Sequence, residues 1–155
     1  MVAALELLGT ERVLELGSAT VYPAALLGRL ARNVYSIASD ADCAGERART
    51  LTELGCSNVR IVSARALTGW AEAAPYQAIF VGAGVTQIPL GLLDQLELGG
   101  RMVIPVGDAN GQLLELLRKR ADSFDSETLG ACHFGMLEEE CGSPSSFPWT
   151  RMVHD

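Results

Sequence analysis

Two kinds of apolar pattern alternate along this chain and predict its secondary structure. Short runs of consecutive apolar residues predict buried strands, at residues 12–16, 34–38, 58–62, 77–81 and 101–106. Apolar residues that recur every three or four positions predict helices, at residues 23–30, 41–54 and 88–98. Two more strands, at 113–118 and 129–134, follow each other with no helix between them. The pattern predicts an α/β fold, with a mostly parallel sheet, antiparallel C-terminal strands and helices on both faces.

Residues at the helix ends support these boundaries. Asp40 or Asp42 can cap the second helix, and Gly55 is suited to end it. The pair Gly99-Gly100 is expected to end the third helix. The second helix is expected to face the core through Ala44, Ala48, Leu51 and Leu54.

Length and charge limit the classes of protein that fit. A chain of 155 residues can form one domain, expected at residues 1–140 with an irregular tail at 141–155, whose Phe147 and Trp149 could dock on the domain or a partner. The net charge of −7 argues against nucleic acid, because phosphate binding needs clustered cations. The short run Arg118-Lys119-Arg120 is expected to be a solvated strand end or turn.

The sequence shows no membrane, secretory or metal-binding signal. No apolar run reaches the roughly 18 residues that span a bilayer, and the first residues carry no secretory leader, so we expect no membrane association and a cytoplasmic location. The four cysteines show no CxxC spacing, and with two histidines they predict no metal site. We expect the cysteines to be small apolar residues, and a Cys132–Cys141 disulfide is not expected.

The loops that follow the parallel strands are the expected ligand site, because open sheets bind ligands beyond the carboxyl ends of their strands. These loops contain residues 17–21, 38–40, 63–66 and 82–85. The stretch 12–22 is typical of a strand, a tight turn and a helix, the place where nucleotide-binding folds present backbone N–H groups. Such a turn usually has three glycines, but Ala19 and Val21 here follow Gly17.

Several segments match one family in order and spacing. They include Arg12-Val-Leu-Glu-Leu-Gly17, Leu54-Gly-Cys-Ser-Asn-Val59, Gly69-Trp70, Ala73-Ala-Pro-Tyr-Gln-Ala-Ile-Phe-Val81 and Gly99-Gly-Arg-Met-Val-Ile-Pro-Val-Gly107. Through them the chain, from Met1 to about Leu137, resembles the protein-L-isoaspartate O-methyltransferases. These are class I enzymes that use S-adenosylmethionine to esterify isoaspartyl residues of damaged proteins. The resemblance implies a Rossmann-like sheet of seven strands, and S-adenosylmethionine or S-adenosylhomocysteine as the ligand.

The resemblance also implies which residues would hold that ligand, and no catalytic residue is assigned. The cofactor-binding candidates are Glu15, Gly17, Ser18, Ala38, Ser39, Arg65, Ala66 and Gly82. Glu15 is expected either near the methionyl amino group or as a solvated or helix-capping carboxylate. Gly82 and Gly84 either approach a ligand closely or permit tight packing of their loop. Trp70 is expected to line the core or the pocket wall.

The sequence departs from the family pattern at four points. The turn has Val21 where a glycine is usual, which implies a strained or a changed backbone. Ala38 replaces the acid that takes the ribose hydroxyls, with Asp40 as a conceivable substitute. Arg65 replaces the acid that serves the adenine amino group, and either faces solvent or pairs with an acid, or directs the pocket toward an anion. The family's N-terminal segment, which helps to cover the cofactor, has no counterpart before Met1.

Three functions therefore remain open. The first is a non-catalytic relative, a pseudoenzyme that keeps the scaffold to bind a partner or an altered ligand. The second is an active S-adenosylmethionine-dependent carboxyl methyltransferase, completed by another chain or by residues absent here. The third is a nucleotide or phosphometabolite site around Arg65. Without the N-terminal cover, apolar surface would be exposed, so we expect a homodimer or a protein partner.

Overall fold

A single seven-stranded sheet organises the protein, in the order β3-β2-β1-β4-β5-β6-β7. The computed structural model describes residues 1–137. The strands are β1 (Arg12–Leu16), β2 (Asn33–Ala38), β3 (Val59–Ser63), β4 (Tyr76–Val81), β5 (Leu96–Asp108), β6 (Gly111–Lys119) and β7 (Phe124–Cys132). The strands β1 to β5 are parallel, whereas β6 and β7 pair antiparallel. The predicted mixed sheet is confirmed, and the bounds of the first four strands agree within one residue.

Helices cover both faces of the sheet, as predicted. They are α1 (Tyr22–Leu30), α2 (Ala41–Glu53), α3 (Leu90–Asp94) and short 3-10 helices at Val2–Leu5, Ala66–Thr68 and Ala71–Ala73. Side chains alternate along β1, so Val13 packs with Leu27 of α1 on one face. Leu14 packs on the other face, with Leu92 of α3. We call these the α1 face and the α3 face.

The third predicted helix is much shorter than its sequence pattern suggested. It ends at Asp94, and Leu96 instead begins β5, where it is buried and pairs with Tyr76 of β4. The glycines expected to end this helix lie inside β5, at the register shift between β4 and β5, where Gly99 has a φ of 80°. The ammonium of Lys119 holds the junction, because it donates to the carbonyl groups of Leu93 and Leu96.

The final strand begins earlier than predicted, and a return segment follows it. β7 runs from Phe124 to Cys132, so the prediction of 129–134 was wrong at both ends. Nearly all of β7 is exposed, and its side chains therefore carry little apolar pattern. Residues 133–137, the return segment, then run back beside the loop after β4. There Gly84 N donates to Gly135 O, and Leu137 N donates to Gly84 O, both at 2.8 Å.

The basic run Arg118-Lys119-Arg120 closes β6, and each cation is engaged within the chain. Arg118 lies 3.7 Å from the carboxylate of Glu6, and Arg120 lies 2.6 Å from that of Asp125. Lys119 donates to backbone carbonyls at the end of α3. The run therefore has structural contacts that account for it.

Other expectations concern cysteines, metals and the tail. Cys43, Cys56 and Cys132 are free thiols, while Cys141 and the predicted tail at 141–155, with Phe147 and Trp149, lie outside the described residues. Within residues 1–137 no cluster of three His, Cys, Asp or Glu side chains could hold a metal ion. None of the described helices is long and apolar enough to cross a bilayer.

Candidate functional site

The carboxyl ends of β1, β2 and β4 form the candidate crevice at the centre of the sheet. Gly17 and Ser18 follow β1, Ser39 follows β2, and Gly82 follows β4. Because β1 lies between β2 and β4, these positions meet at one edge. Arg65 and Ala66 follow β3 at the outer side of the same edge, where Ala66 begins a 3-10 helix.

The turn after β1 packs tightly against the loop after β4. Gly17 has a φ of 78°, and a Cβ built there would lie 3.0 Å from the Cβ of Ala83 and 3.5 Å from Leu137. A Cβ on Gly82 would collide with the Ser18 hydroxyl. Both glycines thus permit the two loops to contact each other closely. For Gly82 this agrees with the expectation that the glycine permits tight packing of its loop.

The departure at Val21 is accommodated by a changed backbone. Val21 has φ −78° and ψ −8°, and it is the residue before α1. Among the described residues other than glycine, Glu6 alone has a positive φ. Within the turn only Gly17 has a positive φ, so neither Ala19 nor Val21 stores the strain that the sequence raised as an alternative.

Glu15 lies in a buried polar cluster on the α1 face, so the solvated reading of this carboxylate was wrong. It is fully buried, and its Oε2 accepts a hydrogen bond of 2.5 Å from the Ser36 hydroxyl. β1 and β2 pair Glu15 with Ser36 in register, which explains why both polar side chains meet. The Glu15 Oε1 and the Ser18 Oγ are buried without a hydrogen-bond partner that meets normal geometry.

Arg47 of α2 completes this cluster and was missed by the sequence analysis. The predicted core stripe of α2 was partly wrong, since Ala48 and Leu54 are exposed while Arg47 and Leu51 are buried. The guanidinium of Arg47 donates to the carbonyl groups of Ser18 and Thr20. Arg47 therefore ties the turn after β1 to α2. Arg47 lies four residues before Leu51, and this spacing could have indicated that both side chains lie on the same face of α2.

Burial raises the pKa of Glu15, although the neighbouring polar groups of Ser18 and Ser36 and the charge of Arg47 lower it. A raised pKa in the folded state means that ionised Glu15 is destabilising. This cost is absent below the unfolded-state pKa, grows as the pH rises toward the folded-state pKa, and is complete above it.

We expect Glu15→Gln to remove this pH dependence. Relative to the wild type, the variant should gain stability as the pH is raised from mildly acidic values, and the gain should level off above the folded-state pKa. Urea unfolding at a series of pH values measures it. Glu53→Gln, at an exposed position on α2, serves as the control. A constant difference across the pH series would contradict the assignment.

Ala38, the last residue of β2, provides no carboxylate to the crevice. Ala38 is buried, and its carbonyl accepts from Ala64 N at 3.2 Å. Asp40 caps α2, as predicted, because its Oδ1 accepts from Cys43 N at 2.8 Å. The Ser39 hydroxyl is exposed and lies 3.3 Å from the other Asp40 oxygen. The carboxylate of Asp40 is thus used to cap α2.

Arg65 and Trp70 have different surroundings. Arg65 is exposed and forms no ion pair with any residue in the 1–137 range. Trp70 packs against the core of the α3 face, which confirms its structural reading. Its backbone N–H donates to Gln95 Oε1 at 2.9 Å, and Gly69, with a φ of 67°, leaves room for that amide. The Gly69-Trp70 motif therefore anchors the loop after β3 to the end of α3.

Comparison with known proteins identifies the fold and the family of this chain. The mixed seven-stranded sheet, with helices on both faces and a tight turn after β1, is the Rossmann-like fold of the class I methyltransferases. The sequence profile of "Protein-L-isoaspartate(D-aspartate) O-methyltransferase (PCMT)" matches residues 1–140. The chain belongs to this family.

Individual relatives agree with the family assignment. The chain is 41% identical over 134 residues to "Protein-L-isoaspartate O-methyltransferase 1" of Syntrophobacter fumaroxidans, covering 86% of this chain and 63% of the relative. It is 42% identical over 145 residues to the Syntrophus aciditrophicus protein-L-isoaspartate O-methyltransferase, covering 92% of this chain and 66% of that one. The chain thus spans about two thirds of the length of these curated relatives.

Solved structures show the same architecture. A protein-L-isoaspartate O-methyltransferase superposes with a TM-score of 0.78 at 28% identity, over 85% of this chain and 43% of that one. A Plasmodium falciparum structure, described as a putative protein-L-isoaspartate O-methyltransferase in complex with S-adenosyl-L-homocysteine, has a TM-score of 0.70 at 18% identity, over 89% of this chain and 71% of that one. At that identity the second match supports the fold alone.

Proposed function

We propose that this protein is a non-catalytic member of the family, whose scaffold serves to bind a partner or an altered ligand. The proposal rests on the residues at the ends of β2 and β3, which form one edge of the crevice. Ala38 and Arg65 stand where the family pattern has acids for the ribose and the adenine, and the Ala38 carbonyl is already engaged by Ala64. Neither side chain can accept a hydrogen bond from the nucleoside.

The residues around Gly17 also fit S-adenosylmethionine poorly. Glu15, the acid that the resemblance places near the methionyl amino group, is fully buried and bonded to Ser36 on the α1 face. Leu137 and Ala83 pack beside Gly17. Loss of a charge-assisted pair removes on the order of 1.5–3 kcal/mol. Two such losses, at Ala38 and Arg65, would weaken an ordinary site by roughly a hundred-fold to ten-thousand-fold.

S-adenosylhomocysteine binding tests this proposal directly. We expect no rise in melting temperature and no calorimetric heat at a concentration that saturates the Syntrophobacter fumaroxidans relative, which is the positive control. Binding of S-adenosylhomocysteine with micromolar affinity would overturn the proposal.

An active enzyme, completed by another chain or by residues absent here, is the alternative, and the family match is the observation behind it. It requires transfer of a labelled methyl group to an isoaspartyl peptide, either by the chain alone or after a candidate partner is added. Absence of label in both reactions, with the bacterial relative active in parallel, rejects this alternative.

A partner that covers the crevice is part of the proposal. Tyr22 begins α1 and Leu90 begins α3, both at the crevice end of the sheet, and the two residues are 69% and 74% exposed. Large apolar side chains at such positions favour an interface, with a second copy or another protein. The three free thiols favour a reducing compartment, so we expect the cytoplasm. Light scattering at high protein concentration would reveal a homodimer.

A further inference from the structure

An open cavity lies at the opposite end of the sheet from the crevice. It has a volume of about 430 Å³ and lies at the amino ends of β1, β2 and β4, where Arg12, Asn33 and Gln77 line it. A strand rises about 3.3 Å per residue, so Arg12 and Leu16 at the two ends of β1 are roughly 13 Å apart. The cavity is therefore separate from the candidate crevice.

Hydrogen-bond donors dominate the wall of this cavity. Arg12 begins β1 and is the register partner of Asn33, which begins β2, and Arg32 precedes Asn33 in the chain. One nitrogen of the Arg12 guanidinium donates to the carbonyl of Ala73 at 2.8 Å. Across residues 1–137, neither Arg12 nor Arg32 forms an ion pair. Two cations thus share one cavity with no described carboxylate within 4.0 Å of either.

The one acid among the described residues of the wall, Glu97, is bonded to a neighbouring side chain of the same wall. Glu97 Oε2 accepts from the side-chain amide of Gln77 at 2.9 Å, and the oxygen of that amide accepts from Arg12 N at 2.6 Å. Gln77 therefore fixes Glu97 and the start of β1 together. The side chain of Thr10 adds a hydroxyl to the same wall. An anion in the cavity would meet two guanidinium groups, the amide of Asn33 and the hydroxyl of Thr10, beside the carboxylate of Glu97 that Gln77 holds in the wall.

We propose that this cavity binds a small molecule through a carboxylate or phosphate group. Arginine presents a planar fork of donors that matches both oxyanions, and such charge-assisted hydrogen bonds are stronger than neutral ones. The volume lies within the range of small-molecule sites. Two arginines that line one cavity without an acidic partner among the described residues concentrate positive charge there, and a bound anion would neutralise it.

Titration with inorganic phosphate and with citrate, at constant ionic strength maintained with chloride, tests the proposal. We expect at least one of them to raise the melting temperature and to give a saturable calorimetric isotherm. Arg32→Gln should weaken that binding at least ten-fold, whereas Arg49→Gln, at an exposed site on α2, should leave it unchanged. Whichever anion binds more tightly identifies the preferred group.

Two outcomes would overturn the site. One is the absence of saturable binding of either anion to the wild-type chain. The other is equal weakening by Arg32→Gln and Arg49→Gln, which would indicate a diffuse effect of charge. Arg32→Lys, which keeps the charge and loses the fork, should bind between the wild type and Arg32→Gln. The test does not involve S-adenosylhomocysteine, so it stands independently of the proposed function.

Discussion

Replacing Arg47 with methionine is expected to lower the free energy of unfolding by about 2–4 kcal/mol. The buried guanidinium donates to the carbonyl groups of Ser18 and Thr20, and its charge lowers the pKa of the buried Glu15. Methionine keeps the apolar stem but leaves the two carbonyls and the carboxylate without this partner. Urea unfolding followed by circular dichroism at neutral pH measures the loss.

Two further variants separate the contribution of the cluster from that of packing. Arg49→Met on the exposed side of α2 should change stability by less than about 0.5 kcal/mol. The double variant Arg47→Met with Glu15→Gln should lose less than the sum of its single changes, because the carboxylate that needs the cation is gone. Additivity, or a single-variant loss as small as that of Arg49→Met, would show that the cluster does not hold the turn.

Replacing Gly17 with alanine is expected to lower the free energy of unfolding by about 2–3 kcal/mol. The backbone at Gly17 has a φ of 78°, and a residue with a side chain pays about 1–2 kcal/mol in that conformation. The added Cβ would also lie 3.0 Å from the Cβ and 3.1 Å from the backbone nitrogen of Ala83, so the two loops must separate. Chemical denaturation gives the difference.

Gly45→Ala is the matched control for this substitution. Gly45 lies inside α2, and a Cβ added there meets nothing within 4 Å. Alanine in a helix interior is favoured over glycine by roughly 0.5–1 kcal/mol, so this variant should be more stable than the wild type. The two substitutions are therefore expected to change the free energy of unfolding in opposite directions. A neutral effect at Gly17 would mean that the turn relaxes freely.

The centre of the sheet could be predicted from the sequence because β1, β2 and β4 are largely buried on both faces. Such strands appear as continuous apolar runs, and β1 to β4 were recovered almost to the residue. β7 could not be delimited, since its solvent-exposed residues need no apolar pattern. The third helix was overextended because Leu96, which fits the helical stripe, is held in β5 by its pairing with Tyr76.

The candidate site was predicted only in part, for a related reason. The resemblance identified Glu15 and Gly17, and strand order brought their loops together. It did not indicate that Glu15 faces Ser36 and Arg47, because a polar residue in a buried strand gives no sign of its partner on a distant helix. The role of the eight cofactor-binding candidates, which follows from the resemblance, stays a prediction.

The return segment determines how one wall of the crevice can open. Gly84 and Val85 form isolated bridges with Met136 and Val106, and the side-chain amide of Gln112 bonds both the N–H and the carbonyl of Phe134. Gln112 is itself a residue of β6. This wall therefore cannot move as an autonomous flap. Its detachment must break the hydrogen bonds to Gln112 and to the loop after β4, and any ligand that needs a wider entrance must offset that loss.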